Sequence, residues 1–237
     1  MVQIEVPEMA SKMAYDRAIV VFSPEGRLYQ VEYAFKAVEN ATTCIGVTFK
    51  DGVVLIAAKT TTKLLIPESI EKIMKIDDHV GVGFCGLVAD ARVLVDYARI
   101  RAQINRVTYG EPIEIYAIAK EIADRKQRFT QVGGIRPFGV SFLIAGFDTK
   151  PHLFETDPSG SMREWLAHAI GRGGKVARKV LEKGWKPNMT KEQAIALAVK
   201  ALKTAEQKIT FKEVECGIIE KGKFKKLETN EIKKILK

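Results

Sequence analysis

The chain has 237 residues, of which 46% are hydrophobic, and its formal net charge is +9 at pH 7. This length is sufficient for one large domain whose core needs no disulfides or metal ions to hold it. Apolar runs such as 53–58 have only the length of a strand, far short of the roughly 18 residues that a membrane span needs. We therefore expect no membrane partner.

The positive charge makes nucleic acid a partner to consider. Nine Lys and Arg between Arg172 and Lys203 face only two acidic residues, Glu182 and Glu192. The segment has helical periodicity, and no aromatic string, zinc-finger spacing or Gly-rich basic tail accompanies it. We interpret these charges as the solvated faces of two surface helices and expect no nucleic-acid partner.

The N-terminus and the cysteines both indicate a cytoplasmic location. The first residues of the chain include Glu5 and Glu8 and have no apolar stretch of the kind that secretory signals need. Cys44, Cys85 and Cys216 lie far apart within apolar runs, which predicts buried free thiols in a reducing compartment. The three histidines lack the spacing of a metal site or a catalytic triad, so we expect neither a metal nor a cofactor.

The predicted elements begin with a turn that leads into a helix. Residues 1–13 show no periodicity and are expected to form a mobile segment of their own. Ser23-Pro24-Glu25-Gly26 fits a type I turn, with Pro at the second position and Gly at the fourth. Apolar residues from Leu28 to Val38 then recur at helical spacing, which predicts an amphipathic helix of about three turns.

After this helix, pairs of strands alternate with pairs of helices. The β-rich runs predict strands at 43–49, 53–58, 70–76, 79–85, 138–147, 152–156, 163–170, 214–219 and 223–226. Helical spacing predicts helices at 87–102, around 115–122 and at 174–184. A further helix starts at the capping box of Thr190 and Gln193, and a last one is capped by Thr229 or Asn230.

This order of elements argues against a doubly wound parallel sheet, in which single strands and helices alternate. Hairpin connections imply antiparallel sheets, and each sheet needs helices to cover one of its faces. We therefore predict an α+β fold with four layers, in which two stacked antiparallel sheets lie between two pairs of helices. No internal repeat or linker indicates a second domain.

Several strings of the chain resemble a known family. Tyr15-Asp16-Arg17, followed by FSPEGRL and QVEYA within 22–34, closely resembles the N-terminal signature of proteasome α-type subunits. Further similar strings lie at 69–73, 86–95, 133–141 and 153–160. The resemblance covers 14–237 and implies a single domain there, with the αββα fold of the N-terminal nucleophile hydrolases and an extra N-terminal helix. It makes residues 1–13 a gate segment.

The resemblance implies a structural and regulatory role rather than catalysis. Subunits of this archaeal type form a heptameric ring that stacks on a ring of β subunits and gates the entry of substrate into the proteasome core particle. Regulatory ATPases dock on the ring with their C-terminal tails and drive degradation that is independent of ubiquitin. The expected partners are therefore other α subunits, β subunits, such an ATPase and unfolded protein in transit.

The resemblance also assigns three groups of residues. The gate is assigned to Tyr15, Asp16, Pro24 and Tyr33, with the turn at Pro24 as the part that moves. The pocket that receives the ATPase tail is assigned to Lys72, Glu32, Gly26, Ala41 and Leu87. The loop that lines the pore is assigned to Val132, Gly133 and Gly134. Ala41 and Val132 stand where the family often has Gly and Tyr.

The alternative is an active hydrolase that matures at Thr42, the position of the catalytic N-terminal threonine in β-type subunits. Such a threonine uses its own α-amine, which a cleavage must first release. Here Ala41 replaces the Gly that self-processing needs, Ala58 replaces the expected acid, and a helix precedes Thr42. We therefore interpret Thr42 and Thr43 as ordinary strand residues and assign no catalytic residue.

Overall fold

A computed structural model describes residues 20–236, except for the side chain of Glu68. Within this range the chain forms six α-helices, ten strands and two short 3₁₀ turns. The helices are α1 (Tyr29–Asn40), α2 (Val88–Tyr109), α3 (Ile115–Phe129), α4 (Gly174–Gly184), α5 (Lys191–Glu206) and α6 (Thr229–Ile235). The strands are β1 (Cys44–Phe49), β2 (Gly52–Ala58), β3 (Ile73–Asp77), β4 (Val80–Gly86), β5 (Val140–Phe147), β6 (Pro151–Thr156), β7 (Met162–Glu164), β8 (Ala167–Ile170), β9 (Val214–Glu220) and β10 (Lys223–Lys226).

Two five-stranded antiparallel sheets form the centre of the molecule, which confirms the predicted sheets. The first has the strand order β10-β9-β2-β1-β8, and the second has the order β3-β4-β5-β6-β7. The hairpin of β1 and β2 pairs Phe49 with Gly52, so it turns at Lys50 and Asp51 as the sequence predicts. In the second sheet, β4 and β5 set Phe84 directly opposite Phe142.

Three apolar clusters fill the spaces between the layers. Helices α4 and α5 pack on the first sheet through a cluster that includes Ile56 and Leu202. Helices α2 and α3 pack on the second sheet through a cluster that includes Leu94 and Ile122. The third cluster, which includes Leu55, lies between the two sheets. Each sheet is therefore covered by one pair of helices, and the four-layer αββα prediction is confirmed.

Helix α1 stands apart from this pattern of layers. Its buried residues are Val31, Ala34 and Val38, spaced for a single apolar stripe. Val38 belongs to the cluster between the two sheets, and the helix contacts β4 and β5. Helix α1 therefore closes one end of the space between the sheets, directly before the chain enters β1.

The prediction of one strand at 163–170 is wrong. The segment contains two short strands in different sheets, because β7 pairs with β6 and β8 pairs with β1. Trp165 and Leu166 carry the chain across: the Trp165 N–H donates to the Leu153 carbonyl at 2.8 Å, and the Thr48 N–H donates to the Leu166 carbonyl at 2.9 Å. The two strands follow each other with only Trp165 and Leu166 between them, and no Gly or Pro marks the crossing in the sequence.

Local signals at helix and hairpin ends are mostly confirmed. Thr190 and Gln193 form the predicted capping box at the start of α5. Lys221 and Gly222 both have positive φ, as a type I′ hairpin turn requires. The predicted cap of the last helix is wrong by one or two residues, because the cap is Glu228, whose N–H donates to the Glu231 carboxylate at 2.9 Å.

Candidate functional site

The turn before α1 has the predicted form. The N–H of Gly26 donates to the Ser23 carbonyl at 2.8 Å and so closes the turn. Gly26 has a φ of +74°, which favours glycine, and Pro24 and Gly26 are exposed to solvent. Tyr15 and Asp16, assigned to the same gate, lie outside the described residues.

Glu32, assigned to the activator pocket, is paired within its own chain. Its carboxylate accepts two hydrogen bonds from the Arg27 guanidinium, one of them from Nε at 2.8 Å. These bonds hold the pKa of Glu32 below its usual range. Arg27 also lies 5.0 Å from the centre of the Tyr29 ring. A ligand that binds Glu32 must therefore share the carboxylate with Arg27, beside Tyr33, which has half of its surface exposed.

Lys72, the residue assigned to pair with a terminal carboxylate, is buried just before β3. Its Nζ lies 3.5 Å from the Thr42 carbonyl oxygen and 4.9 Å from the centre of the Phe84 ring. Among the residues that the structure describes, the Thr42 carbonyl is the one hydrogen-bond acceptor of this ammonium. Because an ammonium has three donors, Lys72 has capacity for a further partner.

Ala41 and Leu87 lie near the C-terminal end of α1, on the same side as Lys72. Ala41 ends the helix, and its carbonyl accepts a hydrogen bond from the Arg172 N–H at 2.8 Å. Leu87 precedes α2 with 45% of its surface exposed. A Cβ on Gly139 would lie 3.0 Å from Leu87 Cδ1 and 3.5 Å from Ala37 Cβ, so Leu87 and α1 meet over this glycine.

The five residues assigned to the pocket do not form one cluster within the chain. Gly26 and Glu32 lie at or before the first turn of α1, whereas Ala41 lies after its last residue. A helix of 12 residues is about 18 Å long. The structure therefore brings Lys72, Ala41 and Leu87 to one end of α1 and leaves Gly26 and Glu32 at the other end.

The Thr42 side chain is engaged in the backbone of the first sheet. Its hydroxyl donates to the Ala58 carbonyl at 2.6 Å. At the end of β2, Ala58 accepts this bond through its backbone carbonyl, and its methyl side chain has no acid group. Ala41 precedes Thr42 in the sequence, so Thr42 would have a free α-amine only after cleavage between the two residues.

Thr43 is held by a carboxylate that the sequence analysis missed. Glu206, at the end of α5, accepts hydrogen bonds from the Thr43 N–H at 2.9 Å and from its hydroxyl at 2.6 Å. Arg172 forms an ion pair with the same carboxylate. Burial raises the pKa of Glu206, but the bonds from Arg172 and Thr43 outweigh burial and hold it below its usual range. The Thr43–Glu206 contact joins residues 163 positions apart, which no local pattern reveals.

The loop assigned to the pore is exposed at its tip and fixed at its base. Val132, Gly133 and Gly134 are exposed, between α3 and β5. Arg136 donates two hydrogen bonds of 2.7 Å to the buried Asp90 carboxylate in the first turn of α2. Burial would raise the pKa of Asp90, but the bonds from Arg136 and from a backbone N–H hold it below its usual range.

A buried lysine fixes the same loop from the other side. Lys126 in the last turn of α3 is fully buried, and its Nζ donates to the Val140 carbonyl at 2.9 Å. It also donates to the Thr156 carbonyl at 3.0 Å and to the Thr156 hydroxyl at 2.9 Å. Burial lowers the pKa of Lys126 to about 7, although the Asp157 and Glu155 charges oppose this. Lys126 thus links the end of α3 to the start of β5.

The cysteines and the possible metal ligands show no sign of a further reactive site within the described residues. All three cysteines are free and buried, as predicted, and burial raises the pKa of the Cys85 thiol to about 11 and that of Cys216 to about 12. Within residues 20–236, no group of three or more His, Cys, Asp or Glu could hold a metal ion. In the same range, none of the helices combines the length and the apolarity that crossing a membrane requires.

Comparison with known proteins gives one family over most of the chain. The family model described as proteasome subunit matches residues 38–219, and the model of the N-terminal signature of A-type proteasome subunits matches residues 15–37. The chain is 53% identical to the proteasome alpha subunit of Methanocaldococcus jannaschii, over 97% of this chain and 89% of the relative. It is 51% identical to that of Thermococcus sibiricus, over 94% and 86%, and 51% identical to that of Methanopyrus kandleri, over 95% and 93%. The chain therefore belongs to the proteasome subunit family and, within it, to the α type.

Proposed function

We propose that this chain is the non-catalytic ring subunit of a proteasome core particle, which gates substrate entry and docks a regulatory ATPase. Assembly with other proteasome subunits follows from its family. The observation that carries the docking role is the Lys72 ammonium, which is buried and has one long hydrogen bond within the described part of the chain. A carboxylate at the end of a partner's chain would supply an opposite charge and further hydrogen-bond acceptors for this ammonium.

The tail pocket, in this proposal, is completed by the neighbouring subunit of the ring. Lys72, Ala41 and Leu87 of one subunit would form its inner half. Gly26 and Glu32, about one helix length away in the same chain, would serve the pocket on the other side of the subunit. A tail that contacts both halves would bridge two subunits. Because Gly26 belongs to the same turn as Pro24, binding could shift that turn.

The gate is proposed to comprise the segment 1–13 with Tyr15, Asp16, Pro24 and Tyr33. The exposed turn at Pro24 is the part that would shift when a tail binds, and α1 would carry Tyr33 with it. The loop of Val132, Gly133 and Gly134 would line the passage inside the gate. Unfolded protein in transit and a cytoplasmic location complete the proposal.

The absence of catalysis is supported by the surroundings of Thr42. A threonine hydrolase needs a free α-amine beside its nucleophile and an acidic partner close by. Thr42 donates its hydroxyl to the Ala58 carbonyl, and the side chain of Ala58 is not acidic. No observation favours maturation at Thr42, and peptide cleavage is assigned to the β subunits of the assembled particle.

Replacing Lys72 tests the docking role. Core particles are assembled with wild-type or Lys72→Ala α chains, and hydrolysis of a fluorogenic peptide is followed with and without a short peptide that carries a regulatory ATPase's C-terminal sequence. We expect the variant to lose stimulation at every concentration of the activating peptide. A particle that lacks residues 2–13 is the positive control and should hydrolyse the substrate faster without activator. Full stimulation of the Lys72→Ala particle would refute the docking role.

A further inference from the structure

We propose that Glu215 is the positioning residue of the docking lysine: its buried carboxylate fixes the backbone at Lys72 and thereby the place of the ammonium. This inference rests on the proposed docking role of Lys72. It adds a residue from a distant part of the chain, which the family strings 15–34 and 69–73 do not contain.

The Glu215 carboxylate reaches from one sheet to the other. Glu215 lies in β9 of the first sheet, opposite Ala57 of β2, and is 5% exposed. Its Oε2 accepts hydrogen bonds from the N–H of Lys72 at 2.5 Å and from the N–H of Ile73 at 3.0 Å. Ile73 is the first residue of β3 in the second sheet, so one carboxylate oxygen holds the entrance of that strand.

The backbone at Lys72 depends on this carboxylate because β3 starts only at the next residue. The Lys72 carbonyl accepts a bond from the Phe84 N–H at 3.3 Å, whereas its own N–H bonds to Glu215. The peptide is thus fixed on both sides. Its side chain then extends over the Phe84 ring toward the Thr42 carbonyl. A shift of this peptide by a fraction of an ångström would move the ammonium relative to the ligand.

An ion pair with Lys226 holds the Glu215 carboxylate in this orientation. The Nζ of Lys226 in β10 lies 2.7 Å from Glu215 Oε1 and 2.9 Å from Glu71 Oε1. Burial would lower the pKa of Lys226, but its bonds to Glu215 and Glu71 outweigh burial and raise it. Glu71 directly precedes Lys72, so Lys226 restrains the same segment a second time. The cluster of Glu71, Glu215 and Lys226 therefore restrains the backbone at Lys72.

Whether Glu215 has a purely structural role or a positioning role can be decided from how strongly its replacement weakens binding of the ligand's carboxylate. The activating peptide is used in two forms, with a free C-terminal carboxylate and as the C-terminal amide. In wild-type particles the free acid should be the more potent form, because only its charge pairs with Lys72. General loosening of the α ring weakens both forms alike, whereas displacement of the ammonium weakens the free acid selectively.

The test compares half-maximal concentrations of the two peptide forms for particles carrying α-chain variants. In Glu215→Gln, the amide group must direct N–H donors either at Lys226 or at the backbone N–H groups. We expect this variant to lower the potency of the free acid about tenfold, equivalent to about 1.4 kcal/mol, and that of the amide by less than twofold. Lys226→Met should shift the free acid in the same direction by a smaller factor, and Lys226→Arg should restore most of the loss.

The matched control is Glu220→Gln, which removes the same charge from the same strand. Glu220 is paired with Lys191 at the surface, so we expect this variant to leave the potencies of the free acid and the amide unchanged. If Lys72→Ala abolishes the preference for the free acid while Glu215→Gln and Lys226→Met retain it, the positioning role is wrong and the docking role stands. If Lys72→Ala itself retains the preference, the proposed docking role fails as well.

Discussion

Two buried lysines of this chain lie on adjacent aromatic rings and have different surroundings. Phe84 and Phe142 are cross-strand neighbours with ring centres 6.4 Å apart in an edge-to-face arrangement. The Lys72 ammonium lies over the first ring and the Lys126 ammonium over the second, at 4.9 and 4.6 Å. Lys126 has three oxygen acceptors at 3.0 Å or less, whereas Lys72 has one at 3.5 Å within the described residues.

The difference separates a lysine that completes the fold from one that is available to a ligand. Burial and an aromatic neighbour are common to both and therefore do not distinguish them. The number of hydrogen-bond acceptors does, because a buried donor without acceptors raises the free energy of the folded chain until a partner supplies them. By this criterion Lys126 belongs to the scaffold of the loop of Val132, Gly133 and Gly134, and Lys72 is the candidate for binding.

The largest effect on stability is expected from Lys126→Ala. It leaves the Val140 and Thr156 carbonyls without their donor and opens a cavity, which should lower the free energy of unfolding by about 3 kcal/mol and the thermal midpoint by roughly 10 °C. Thermal unfolding of the isolated α chain measures this. Lys72→Ala is the matched comparison and should lower the midpoint by less than half as much. Equal losses in the two variants would show that the contrast between these lysines has no energetic basis.

Arg136→Met tests the second anchor of the loop of Val132, Gly133 and Gly134. It should lower the free energy of unfolding by a smaller amount, about 2 kcal/mol, because it leaves the buried Asp90 carboxylate without its cation. The pKa of Asp90 is depressed, so its contribution is present above the usual pKa of Asp, near 4, and is lost as pH falls through the lowered value. Urea unfolding between neutral pH and pH 3 measures both. Arg163→Met is the control, because Arg163 lies 3.7 Å from Asp157 and makes a longer contact. A control that loses as much would contradict the clamp.

The titration of Lys126 should change stability by the smallest amount for each pH unit. The unfolded chain keeps this proton up to about pH 10.4, whereas the folded chain releases it at about 7. Between these values the unfolded state binds more protons, so stability should rise with pH, by at most about 1.4 kcal/mol per pH unit. The free energy of unfolding from pH 7 to 9 measures the slope, and Lys126→Met subtracts the other titrating groups. Identical slopes for the two proteins would contradict the depressed pKa.

Patterns that repeat along the chain predicted the layers and the local turns. The paired strands and helices, the turn at Gly26 and the capping box at Thr190 each depend on residues a few positions apart. The sequence also contained a signal for Lys126 that was not used. It lies four residues after Ile122, which places it on the buried stripe of α3 despite its charged neighbours.

Contacts between distant segments could not be predicted in this way. Glu206 bonds to Thr43 across 163 positions, and Glu215 bonds to Lys72 across 143 positions. Glu215 stands within an apolar run, so its sequence indicates a buried carboxylate without naming the partner. The crossing at Trp165 and Leu166 is hidden for a different reason, because a strand that changes sheets keeps its alternation of side chains.

The two clamps on the loop of Val132, Gly133 and Gly134 have a consequence for what a ring of such loops would admit. Lys126 ties the helix side of the loop to β5, and Arg136 ties the strand side to α2. Because both ends of the loop are anchored, its base would stay in place, and the width of the proposed channel would change little when the gate opens. Opening the gate would then change whether a chain enters but not how thick it can be. The loops would form a constriction of constant width, through which an unfolded polypeptide could pass and a folded domain could not.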